Sequence, residues 1–206
     1  MKVKSLQFPA LFCLITFFTV SCKNVEQKES KDKTQNIEIQ QENSESLSGN
    51  NIGVYEGMLK IDSLNTEIRL KVAAYYYLNK NFEKALAHYL IILQNDKNNL
   101  ATLFNLGNIY YDMQQNEQAI KYYERLLLLD KNNSNVRCDL ATCYMNLNNT
   151  SKAIAILREN IKLDTNHLQS HYNLSVMLRK TGKTVEADKE LSIYNSMSAS
   201  QPGSTK

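Results

Sequence analysis

From residue 66 onward, apolar and small side chains return to the same places every 34 residues without an insertion, through Thr66–Asn99, Leu100–Asn133, Ser134–His167 and Leu168–Gln201. With each unit numbered in columns 1 to 34, column 20 is Ala in all four (Ala85, Ala119, Ala153, Ala187) and column 7 is Val72, Leu106, Leu140 and Leu174. Column 8 is small, as Ala73, Gly107, Ala141 and Ser175, while column 11 holds Tyr76, Tyr110, Tyr144 and Leu178. Column 24 holds Tyr89, Tyr123, Leu157 and Leu191, and Asp stands at column 31 as Asp96, Asp130 and Asp164. Columns 3, 4, 7, 8, 10, 11 and 14 share one arc at about 100° per residue, which predicts an amphipathic first helix in every unit. A second helix is predicted over about columns 18 to 30, and the small side chains at 8 and 20 let the two approach closely. Between them, Lys80-Asn81, Gln115-Asn116, Asn148-Asn149 and Gly182 supply turn residues. One hairpin of this kind cannot cover its own apolar face, so units must stack, with about three as the usual minimum.

These columns resemble the tetratricopeptide repeat, whose pattern is an aromatic or Leu at 4, Leu at 7, Gly or Ala at 8, Tyr at 11, Ala at 20, an aromatic at 24 and Pro at 32. The second unit, LATLFNLGNIYYDMQQNEQAIKYYERLLLLDKNN, matches best. Lys97, Lys131 and Thr165 replace the Pro at column 32, Asn160 replaces a small apolar residue at 27, and Arg69 and Arg137 stand at column 4. Asp-Lys-Asn-Asn still supplies turn and N-cap chemistry between units. The resemblance implies an all-α, right-handed α-solenoid of about four antiparallel helix-turn-helix repeats over residues 66–201. Residues 51–65 read as a short N-terminal capping helix, because Tyr55, Met58 and Asp62 fall on columns 24, 27 and 31 of a truncated preceding unit. The last helix, from about Val185 to Met197, is polar enough to face water, as a terminal repeat must. Residues 202–206 form a tail expected to be disordered.

The first fifty residues have a different character. Lys2 and Lys4 precede an apolar run from Phe8 to Val20, and Ser21 stands before Cys22, the layout of a secretory signal over residues 1–21. The run is about thirteen residues with Pro9 inside it, short of the roughly twenty that a helix needs to cross a bilayer. Thr19-Val20-Ser21-Cys22 resembles a bacterial lipobox, which implies a lipid on Cys22 and attachment to a membrane in the cell envelope. Lys23 stands where some enteric lipoproteins retained at the inner membrane carry Asp, which favours the outer membrane. Residues 23–50 hold almost no large apolar side chains and read as a disordered tether following the acylated Cys22, spanning some 30 Å at roughly 5–6 Å times the square root of its length. With 206 residues, 22% charged and a formal charge of +3 that falls to about +1 without the leader, the chain lacks the basic surface of a nucleic-acid binder. Cys138 and Cys143 remain after the leader, about 8.6 Å apart on one helix and beyond the reach of an unstrained disulfide.

The opposite arc of the first helix holds columns 2, 5, 6, 9, 12 and 13, which line the concave groove of tetratricopeptide-like superhelices. There column 5 gives Leu70, Phe104, Cys138 and Tyr172, and column 12 gives Tyr77, Tyr111, Met145 and Arg179. Asn105, Asn108, Asn173 and Asp139 lie among them, so the groove is expected to offer aromatic contact and amide hydrogen bonds to an extended peptide or a partner helix. Cys138, facing that groove, is a candidate reactive thiol. The family's clamp for acidic chaperone tails needs Lys at column 5 of the first unit and basic residues at columns 2 and 6 of the third; Leu70, Phe104, Asn135 and Asp139 stand at those places. His167 and His171 are i, i+4, but one lies at a turn and the other in a packed column, so no metal is expected. His88, alone on an outer helix, reads as a surface residue. Thr181-Gly182-Lys183-Thr184 ends like a phosphate-binding loop, yet Met177 occupies the position of the required first Gly. No catalytic residue and no cofactor beyond the lipid on Cys22 are expected. The leading expectation is a membrane-anchored adaptor for other envelope proteins, with oligomeric state left open; the alternative is a lipoprotein that captures an oligosaccharide or small solute on Tyr77, Tyr111 and Tyr172.

Overall fold

A computed structural model of the chain describes residues 51–200, so the leader, Cys22, the tether and the 202–206 tail lie outside the described residues. Among those residues there are nine α-helices and no strand: α1 (Ile52–Ile61), α2 (Thr66–Leu78), α3 (Phe82–Asn95), α4 (Leu100–Asp112), α5 (Asn116–Leu129), α6 (Ser134–Asn146), α7 (Thr150–Leu163), α8 (Leu168–Lys180) and α9 (Thr184–Ala199). Each 34-residue unit is one hairpin, α2/α3 through α8/α9, and the second helix of one unit packs on the first helix of the next. The chain is thus an all-α solenoid.

Local chemistry sets the boundaries. Asn65, Asn99 and Asn133 each begin a first helix by accepting the backbone N–H of Ile68, Thr102 and Val136 at 3.0, 3.0 and 3.1 Å. His167 does the same with Nδ1, from Ser170 N–H at 3.3 Å. Such a cap satisfies one of the donors that the first turn leaves without an intrahelical partner. Just before it, Asp62, Asp96 and Asp164 accept the N–H two residues on at 3.2, 3.0 and 3.0 Å, closing the turn between units.

Column 32, where the related repeat has Pro, is held by another device. The carbonyl there accepts a side-chain hydrogen bond in every case: Ser63 from Arg69, Lys97 from Arg125, Lys131 from Arg137, and Thr165 from His171 Nε2 at 3.1 Å. The Arg residues at column 4 and the missing Pro are therefore one adaptation, with a cationic or imidazole donor pinning the loop that a ring would have stiffened. Glu190 Oε2 lies 2.6 Å from the other nitrogen of His171, and Glu159 lies 3.4 Å from Arg137.

Within each unit the reversal centres on column 15, which has positive φ in all four cases: Lys80 at 58°, Gln114 at 61°, Asn148 at 59° and Gly182 at 78°. In unit 2 the left-handed residue is Gln114, outside the Gln115-Asn116 pair expected to turn the chain. Lys80 and Gln114 occupy a conformation that costs a side-chain-bearing residue about 1–2 kcal/mol, and only Gly182 meets it without that strain.

The core lies between the two helix layers in two clusters, with Ala85 and Ala119 buried beside Leu103, Leu106, Ile109, Tyr89 and Tyr123, and Ala153 and Ala187 buried with Leu157, Leu174 and Leu178. At Gly107 the two helices of the second unit approach closely: an added Cβ would meet ring carbons of Tyr123 at 2.4, 2.7 and 2.9 Å. Asn160, the departure at column 27, is wholly buried and ties three helices, donating to Ser134 O at 2.8 Å and Ser170 Oγ at 2.7 Å.

Candidate interaction groove

The first helices touch one another across unit boundaries along one side of the stack. Tyr77 donates to Asp112 Oδ2 at 2.6 Å, His167 Nε2 lies 2.9 Å from Asn135 Oδ1, and Asn173 reaches Cys138 Sγ at 3.2 Å and Thr142 Oγ1 at 3.4 Å. This side carries columns 2, 5, 6, 9, 12 and 13. Leu70, Tyr77, Phe104 and Tyr111 are half-buried there, with their bases packed on the core and the remainder open. Tyr172 is half-buried too, against Tyr194 of α9, with ring centroids 5.2 Å apart. Asn105, Asp139 and Asn173 are half-exposed between these side chains. Asn105 turns back to the Ala101 carbonyl at 2.8 Å, and Asn173 Oδ1 accepts from Gln169 at 2.9 Å.

Two expected groove residues are not on the surface. Cys138 is fully buried because the first helix of unit 4 leans over it: Asn173 covers its sulfur, and Ala141 and Leu174 pack beside it. It is not an open thiol. Cys143 is also buried, and neither of these two cysteines forms a disulfide. Asn108 is buried as well, accepting the Tyr123 hydroxyl at 2.8 Å, so its amide closes the second hairpin and is not offered to a ligand. Conversely, Leu78 and Val176, at columns 13 and 9 of the same arc, expose large aliphatic surface at the two ends of the strip. Their columns mark them in the sequence, but their size drew less notice than the aromatic ladder.

Electrostatics fix the donor roles. Burial, followed by the hydrogen bond to Asp112, pushes the Tyr77 phenol far above its ordinary range, so it stays protonated as a donor. Lys71 pairs with Glu67 at 2.8 Å and Arg179 with Asp188 at 2.5 Å. His88, expected at the surface, is half-buried and stacked on Tyr76 at 5.9 Å beside Arg69, and burial followed by that guanidinium lowers its pKa. Both nitrogens of His167 and His171 are engaged by protein atoms. The arrangement is a strip of half-open aromatic and aliphatic side chains with amide and carboxylate rungs, which suits contact with another chain.

A stack of two-helix units with this column pattern is a tetratricopeptide-type solenoid. The chain is similar over residues 112–192 to the family described as anaphase-promoting complex, cyclosome, subunit 3. Among solved structures it resembles MamA, with 18% identity and a TM-score of 0.70 over 78% of this chain and 93% of that one. Residues 41 to the end of MamA from Desulfovibrio magneticus RS-1 give a TM-score of 0.72 at 13% identity, over 82% of this chain and 97% of that one. YrrB, described as a TPR protein with an unusual peptide-binding site, gives 0.65 at 17% identity, over 81% of this chain and 85% of that one. No curated relative matches. At these identities the likeness is one of fold.

Proposed function

We propose that the protein is a non-catalytic interaction adaptor that holds an extended peptide or a helix of a partner protein along the strip of first helices. A lipid on Cys22 tethers it in the cell envelope, and the outer membrane is the favoured location. The observation that carries this reading is the half-open ladder of Leu70, Phe104, Tyr77, Tyr111 and Tyr172, which spans all but the third unit on one side of the stack. YrrB, similar in fold, is described as having a peptide-binding site, which supports a peptide or protein partner. Tethering raises the local concentration of such a module near its membrane and strengthens weak contacts there. The test is crosslinking of the full chain in its native envelope, followed by the variant Phe104→Ala/Tyr111→Ala. A defined partner that is lost in the variant while the thermal transition is kept supports the groove; crosslinks that survive unchanged place binding elsewhere.

A further inference from the structure

The N-terminal end of the stack carries a second, separate surface. Helix α1 occupies the place of a second helix: Glu56 accepts the Tyr76 hydroxyl as Glu124, two units later, accepts that of Tyr144 at 2.9 Å. Among the described residues, no first helix of its own unit precedes it. The consequence shows in the columns that such a helix covers. At column 27, Ile92, Leu126 and Asn160 are 1%, 2% and 0% exposed, whereas Met58 is 44% exposed. At column 24, Tyr89, Tyr123 and Leu157 are sealed, whereas Tyr55 is half-open. Val54 and Met58, at i and i+4, form an exposed apolar stripe on α1 beside Tyr55; Ile61 and Leu64 extend it at columns 30 and 33, which are open to solvent in the internal units too. Four of the eleven exposed large apolar side chains among the described residues thus lie within this short stretch, a concentration that marks an interaction surface rather than scattered exposure.

The repeat itself says what fits there. In each internal unit this face meets an antiparallel amphipathic helix with an aliphatic side chain at column 7, Tyr or Leu at 11 and a small residue at 8, the last allowing the approach seen at Gly107 and Tyr123. In the chain's own preceding sequence the same register puts Glu38 and Glu42 at columns 7 and 11, where that pattern calls for aliphatic or aromatic side chains. The last helix of a second copy does not fit either, because α9 turns Asp188, Lys189, Ser192, Asn195 and Ser196 outward. We propose that the open face of α1 receives an amphipathic helix donated by another protein, which lies antiparallel to α1 and completes a further repeat in trans. This site is distinct from the groove and does not depend on it.

The test uses the full chain and a labelled synthetic peptide of residues 99–115, which holds the helix that covers Tyr123 within the second unit. Anisotropy titration should show saturable binding with a gain of helical signal, weakened at least about tenfold by Met58→Glu or Val54→Lys. Leu128→Glu, at a still more exposed apolar position elsewhere, should leave the affinity unchanged. Both α1 positions are open to solvent, and unchanged thermal melts establish that the variants fold. Absence of saturable binding, or equal affinity in wild type and both α1 variants, overturns the proposal. Sedimentation showing that the chain pairs with itself through Met58 also overturns it, by giving the face to a second copy.

Discussion

Replacing Gly107 with Ala measures how tightly the second hairpin is closed. The new methyl group would meet Tyr123 ring carbons at 2.4 to 2.9 Å, and that ring is 1% exposed with its hydroxyl bonded to Asn108. Removing a mid-helix glycine favours the folded state by about 1 kcal/mol. Overpacking opposes it by about 1–3 kcal/mol, and swinging the ring away leaves the buried Asn108 carbonyl without a donor, a further cost of about 1–3 kcal/mol. The balance is a loss near 3 kcal/mol, or about 6–12 °C in melting temperature for a stack of this size. Unit 1 shows how the strain can be relieved: Ala73 and Ala74 occupy columns 8 and 9 there, beside a Tyr89 that is just as buried. Gly107→Ala/Asn108→Ala recreates that pair, so the double variant should be less destabilised than the sum of the two singles by about 1 kcal/mol. Urea unfolding followed by far-UV circular dichroism supplies all four corners of the cycle. A neutral or stabilising Gly107→Ala, or strict additivity, would show that the approach to Tyr123 does not constrain the hairpin.

Three further outcomes follow from particular residues. Burial lowers the pKa of His167 from 6.5, and its Nδ1 caps α8 as an acceptor; the folded chain therefore binds fewer protons than the unfolded one once pH drops below about 6.5, and stability is whole above that pH and declines below it. His167→Asn, the cap of the other units, should flatten this slope in urea midpoints measured between about pH 7.5 and 5, and an unaltered slope would assign it to other groups. Gln114→Gly should stabilise by up to about 1 kcal/mol, and Gly182→Ala should destabilise by about that amount, because both sit at positive φ; the same sign for both would refute the strain argument. Cys138 and Cys143 should be alkylated only on unfolding, and rapid labelling of Cys138 in the native chain, read by peptide mapping, would contradict its burial.

The fold was legible because it rests on columns that repeat, and each repetition of Ala at 20 or Leu at 7 reports the same packing contact. What the sequence hid lies in contacts between columns. Arg69 and Arg137 at column 4 and the absent Pro at 32 stand as separate departures in the sequence, because a single column shows a residue type and not the atom it reaches. The bond from the guanidinium to the column-32 carbonyl explains both departures at once. The positive φ at Lys80 and Gln114 was equally hidden, since only Asn148 and Gly182 carry residue types that announce it.

The groove was legible to the same degree and for the same reason. Helical periodicity placed Leu70, Phe104, Tyr77, Tyr111 and Tyr172 on a common arc, but an arc belongs to one helix, and exposure is decided by its neighbours. Cys138 and Phe104 share column 5, yet one is sealed and the other half-open. The difference lies in column 6 of the following unit, where Asn173 folds over the sulfur of Cys138 while Asp139 stands at the corresponding place after Phe104. The open strip is therefore divided between the first two units and the fourth. A peptide lying along it would meet apolar contact near Phe104 and again near Tyr172, with the third unit contributing Asp139 and Met145 between them. That division is a property of neighbouring units and cannot be read from any one repeat.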